Sequence, residues 1–140
     1  MAESSLKMAS HKLDIARKEL SHGIYETAVI TAYTSMFHCA RSLLFADGYK
    51  ERSHYAIWVY LNEKYSSKIE RRHIHEFNSL RITRHGLMYN LEEKGETQKD
   101  EAQGAVKSAE EFISAVKKLF EQRKEEQALA ASKSGQDEDE

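Results

Sequence analysis

The chain of 140 residues contains no proline. Proline breaks helix interiors but is common in the turns of strand-rich folds. A chain of this length without one, whose apolar residues recur at steps of three and four, is constrained to helices joined by short links. Alternating strand patterns and internal repeats are both absent. The expected fold is therefore all-α: an up-and-down antiparallel bundle of four to five helices.

The pattern places a first helix at about Ser4 to Ser21, with Leu6, Ala9, Leu13, Ala16 and Leu20 on one stripe and Gly23 as its stop. A second, from about Tyr25 to Ala46, has the broadest apolar face (Val29, Ala32, Tyr33, Met36, Phe37, Ala40, Leu43, Leu44) and reads as the central helix; Asp47-Gly48 ends it. Ser53 can cap a short third helix bearing Ile57, Trp58, Tyr60, Leu61 and Tyr65. A fourth, about Lys68 to Glu93, carries Ile69, Phe77, Leu80, Leu87 and Leu91 before Lys94-Gly95. Thr97 and Asp100 resemble a capping box for a fifth, with Val106, Ala109, Phe112, Ile113, Val116, Leu119 and Phe120.

Residues 1–124 form one expected domain. From 125 to 140 six acids face one lysine, a charge of −5, so the body carries +3 of the net −2. This acidic tail is expected to be disordered. The single cysteine, Cys39, lies in an apolar run and reads as a buried thiol in a reducing compartment. No signal peptide or membrane-spanning run is visible, and the expected location is cytoplasmic.

Chemistry concentrates in the fourth helix. Between Lys68 and His85 lie five Lys or Arg residues, three histidines and two acids. Helical spacing stacks Arg81, His85 and Tyr89 on one face, while Arg84 falls between that face and the apolar stripe. An arginine there needs an anion, a carbonyl array or a partner chain. One reading is a phosphate-binding, RNA-handling site, because guanidinium forks match phosphate oxygens and imidazole moves protons near neutral pH. The other is that Arg84 snorkels or pairs with an acid such as Glu26, with His85 and Tyr89 as surface decoration. His54, beside the Ser53 cap, is either an end-of-helix residue or a ligand contact, and His38 is a satisfied interior or interface histidine. His73 and His75 point about 160° apart on a helix, so no metal site is expected from them. No cofactor is expected either: P-loop, dinucleotide, nucleophile-elbow and H-E-x-x-H signatures are all missing.

The run from Ala32 to Leu44 (A-Y-T-S-M-F-H-C-A-R-S-L-L) resembles the A-Y-Y-A-M-F-H-A-A-R-A-L-L signature of HEPN-domain proteins, particularly small stand-alone prokaryotic members. Gly23 to Val29 is similar to that group's G-x-Y-x-x-A-V entry. Ser53-His54 falls where many members carry a Thr-His or Ser-His pair. Arg84 to Tyr89 resembles an R-x4-Y form of the fourth-helix motif, and Ala109 to Ile113 resembles the A-E-E-F-I start of the last helix.

The resemblance spans roughly residues 4 to 122 and implies a bundle that homodimerises, with two copies of the arginine motif meeting in a groove. Many members with R-x4-6-H are metal-independent RNases. Others pair with small nucleotidyltransferases (MNT-type) as toxin-like partners, and some bind nucleotide or RNA without catalysis. By that likeness Arg84, His85 and Tyr89 are the catalytic candidates and Arg81 and His54 ligand contacts. Tyr89 is also a candidate for nucleotide attachment. Tyr89 departs from the nuclease pattern, since a phenol with an ordinary pKa near 10 is a poor base at pH 7. The expected function is RNA or nucleotide binding in a toxin–antitoxin-like pair, with metal-independent RNase activity as a further reading. The alternative is a non-catalytic dimerisation or partner-docking module.

Overall fold

The computed structural model describes residues 1–89 and 96–138. Its order is α1 (Ala2–Ser21), α2 (Tyr25–Ala46), α3 (His54–Lys64), α4 (Arg71–Tyr89) and α5 (Lys99–Glu138), with no strand among the described residues. The expected all-α bundle is what forms.

Helix α2 packs on each of the other four. Its sequence explains this: Ala28, Val29, Ala32, Tyr33, Met36, Cys39, Ala40, Leu43 and Leu44 are all buried, too many for a one-sided helix. Helices α1 and α2 both bury alanines, Ala9 and Ala16 on the first and Ala28, Ala32 and Ala40 on the second. Small side chains let two helices approach closely. The two hydroxyls buried on α2, Ser35 and Ser42, donate back to the carbonyls of Ala32 and Cys39, so neither is left unpaired. Phe77 of α4 stacks on Phe112 of α5 and on Tyr33 of α2, centring the core.

Helices α1 and α2 both run into a glycine. Gly23 (φ 74°) and Gly48 (φ 88°) adopt the left-handed conformation that a Cβ disfavours. The following amides reach back five residues, Ile24 N–H to the Glu19 carbonyl (2.9 Å) and Tyr49 N–H to Leu44 (2.8 Å). Ser53 caps α3 by accepting from the Ala56 amide.

The expected boundaries shift in two places. Helix α4 starts at Arg71 rather than near Lys68; Ile69 still reaches the core from the preceding turn, which is why apolar spacing extends past the helix. Helix α5 starts at Lys99, two residues after the expected Thr97 cap. Leu91 and the Lys94-Gly95 stop lie outside the described residues. Residues 124–134 are all exposed and take no part in the core. The backbone there continues helical to Glu138 on residues rich in Ala, Glu, Gln and Lys.

One polar knot closes an end of the bundle. Asp47, just past α2, accepts from the phenols of Tyr60 (2.7 Å) and Tyr65 (2.6 Å), while Arg123 of α5 donates to the Tyr65 oxygen (2.9 Å). Burial and the Asp47 carboxylate push the Tyr65 phenol up to about 12, so it stays a donor.

Candidate functional site

Three helices meet at His54. Tyr33 of α2 is buried and its hydroxyl lies 2.6 Å from His54 Nδ1, at the first residue of α3. Phe37, one turn further along α2, stacks on the same imidazole with centroids 4.2 Å apart. From α4, Arg81 and Arg84 act electrostatically on both Tyr33 and His54. At about 60° apart on the helix, these two arginines share one side of α4.

Burial raises the Tyr33 phenol, against the lowering influence of Arg84 and Arg81. Burial first, then the charges of Arg84 and Arg81, holds the His54 imidazole below its usual range. At neutral pH Tyr33 is therefore protonated and His54 neutral. The arrangement that orphans no donor has the Tyr33 hydroxyl donating to Nδ1, which assigns the imidazole proton to Nε2.

The arginines differ in what holds them. Arg81 donates through Nε and Nη2 to Asn78 Oδ1 (3.1 and 2.9 Å) and lies over the rings of Tyr55 and Trp58. Arg84 is half-buried and makes no hydrogen bond or ion pair among the described residues. The alternative pairing with Glu26 does not form; Glu26 is exposed.

The remaining candidates lie elsewhere on α4. His85 and Tyr89 pair with each other, ring centroids 4.7 Å apart, and Tyr89 is 61% exposed. Five residues of helix turn Tyr89 about 140° from Arg84. Within one chain, Arg81 and Arg84 act on His54, whereas Tyr89 turns away from Arg84 and meets His85, which lies about 40° around the helix from Arg81. Tyr33 and Phe37 belong with His54, although the sequence reading assigned them to packing. The one available signal was the Ser53-His54 pair: a histidine beginning a helix that must fold onto the central one.

His38 is half-buried, edge-on to Phe37, and held below its usual range by burial and by Arg41 and Lys12. Cys39 is fully buried, as expected.

A sequence profile of the HEPN domain matches residues 2–119. The chain belongs to the HEPN-domain family. A "UPF0332 protein" of Archaeoglobus fulgidus is 35% identical over 60 residues, covering 40% of this chain and 48% of that protein. The match therefore spans about half of the relative's length. Among the described residues no helix is long and apolar enough to cross a membrane.

Proposed function

We propose that this HEPN protein binds the phosphate of an RNA or nucleotide between His54 and Arg84. The observation that carries this is the half-buried Arg84 guanidinium without a hydrogen-bonding or ionic partner among the described residues, beside a neutral imidazole. A buried-edge cation without a counter-charge favours an anion, and a phosphate also gives His54 Nε2–H and Arg81 something to donate to. Loss of one charge-assisted contact of this kind weakens binding about 10- to 100-fold. In fluorescence anisotropy with labelled single-stranded RNA, and in competition by ATP, Arg84→Ala should weaken binding by that much and reduce the salt slope by about 1. Unchanged affinity overturns the assignment.

The protein works as a homodimer in this reading. Four of the nine large exposed apolar side chains among the described residues, Tyr55, Ile82, Met88 and Tyr89, lie on α3 and α4, which supports a second copy docking there. Docking of that kind also gives Tyr89 a way to approach Arg84 of the second copy. Sedimentation equilibrium should give a dimer that Ile82→Glu dissociates. A dimer without RNA or nucleotide affinity favours the docking-module alternative.

A metal-independent RNase is the second reading, and the neutral His54 favours it. In the other neutral tautomer, with Nδ1–H donating to the Tyr33 oxygen, Nε2 accepts the ribose 2′-hydroxyl proton as that oxygen attacks phosphorus, the 5′-oxygen leaves and takes a proton from water, and Arg84 offsets the developing charge. Cleavage that persists in EDTA and leaves 2′,3′-cyclic phosphate supports it; 3′-hydroxyl ends sink it. The exposed Tyr89 suits attachment by a nucleotidyltransferase in a toxin–antitoxin pair. There the phenol oxygen joins the α-phosphorus of a nucleoside triphosphate, pyrophosphate leaves, and the phenolic proton passes to a base. Co-expression with such an enzyme followed by peptide mass spectrometry should find the added nucleotidyl mass on Tyr89; an unmodified Tyr89 removes this pairing.

A further inference from the structure

A second polar cluster lies three helical turns from Arg84, where α4 meets α5. His73 and Glu76 are three residues apart on α4 and so share a face; Glu111 comes from α5. One ligand atom from each lies within 4.8 Å of the others. His73 is only 4% exposed, and its Nδ1 is cut off from solvent without a hydrogen-bond partner. Glu76 Oε2 is in the same condition. Two buried polar atoms on neighbouring side chains, each unpaired, leave a place for a shared partner or a cation.

We propose that His73, Glu76 and Glu111 bind a divalent transition-metal ion of the zinc type. One imidazole and two carboxylates form a donor set for such ions, whereas magnesium and calcium prefer oxygen alone. Bonds of about 2.1 Å in a tetrahedron put ligand atoms about 3.4 Å apart, a closure that side-chain rotation supplies. The carboxylates of Glu70, Glu76 and Glu111 surround one guanidinium, Arg72, which touches Glu70 at 2.7 Å, Glu111 at 2.5 Å and Glu76 at 4.0 Å. Arg72 holds Glu111 by Oε2, which orients that carboxylate and leaves Oε1 to a second partner. The cluster borders a groove of about 470 Å³ lined in part by Glu70, Arg72, His73, Glu111 and Ser114, which gives an ion its entry.

Pairing His73 with His75 missed this site because His75 is exposed on the opposite side of the helix. The ion's role is to fasten α4 to α5, apart from the phosphate site. At a hundredfold excess over its dissociation constant, it shifts the folding equilibrium about 100-fold toward the native state.

The test is calorimetric titration of EDTA-stripped full-length protein with Zn(II), Co(II) absorption in the visible, and thermal melts with each ion. Glu76→Gln and Glu111→Gln keep shape and remove the charge; His75→Ala and Glu110→Gln are controls. Binding of one ion per chain with a raised Tm, lost in both glutamine variants and kept in both controls, is expected. Absence of binding in the unaltered protein, or binding unchanged in either glutamine variant, overturns the proposal. Native circular dichroism of each variant shows that a loss is not unfolding.

Discussion

Replacing Tyr33 by phenylalanine isolates one interaction. The ring stays, with its stacking on Phe77 (5.5 Å) and on His54 (5.6 Å), and only the hydroxyl that reaches His54 Nδ1 at 2.6 Å is removed. A hydrogen bond of this kind is worth about 0.5–1.5 kcal/mol net, whereas an acceptor left dry costs about 1–3 kcal/mol. His54 is half-buried, so water reaches part of its ring and the lower range applies. A loss of about 1 kcal/mol lowers the melting temperature of a domain this size by about 3–4 °C. The companion Tyr33→Leu also discards the stacking and leaves a cavity, and should cost about 3–5 kcal/mol. Calorimetry reads the two losses, and long-range ¹H–¹⁵N NMR reads the His54 tautomer. With tyrosine present the proton should sit on Nε2; in Tyr33→Phe that bias relaxes. A phenylalanine variant as stable as its parent, with an unchanged His54 spectrum, would refute the coupling of α2 to α3 through this bond.

Three more predictions follow from the same geometry. Arg84→Gln removes one of the charges that depress His54, so NMR titration should find its pKa raised, and a pKa that stays put would place Arg84 elsewhere in solution. His38 and His54 both have folded pKa values below the unfolded 6.5, so the unfolded chain binds more protons: their contribution is complete above about pH 6.5 and lost as pH falls through the folded values. Melting temperatures between pH 7.5 and 5 should fall, and the double variant His38→Gln/His54→Gln should flatten that slope; carboxylates depressed by hydrogen bonding, such as Glu51, act only below about pH 4.5. Ser53→Ala should cost about 1 kcal/mol by uncapping α3, read by urea denaturation, with Ser53→Asp restoring it.

The helices were legible where local signals agreed. Gly23 and Gly48 bracket α2 because each supplies a backbone conformation that ends a helix, and Ser53 announces α3 with a hydroxyl its Ala56 amide needs. The start of α4 was misplaced because Ile69 serves the core from a turn, and periodicity cannot tell that from a helical residue. Arg84 stood out by its position at the edge of an apolar stripe. Its neighbours did not: Tyr33 carries an ordinary core spacing, and only tertiary packing turns its hydroxyl toward His54, 21 residues away. The His73–Glu76–Glu111 cluster joins two helices that no spacing rule connects.

The knot at Asp47 bears on where this domain can be cut. The family match stops at 119 and the last partly buried apolar residue is Phe120, yet the Asp47 carboxylate and the Tyr65 phenol are bound to Arg123. A chain shortened to 119 or 120 leaves a half-buried carboxylate facing two phenols with its cation gone. The shortest version that keeps the α2–α3–α5 corner intact ends at 123, and the exposed stretch 124–134 can serve as a handle for fusion or labelling.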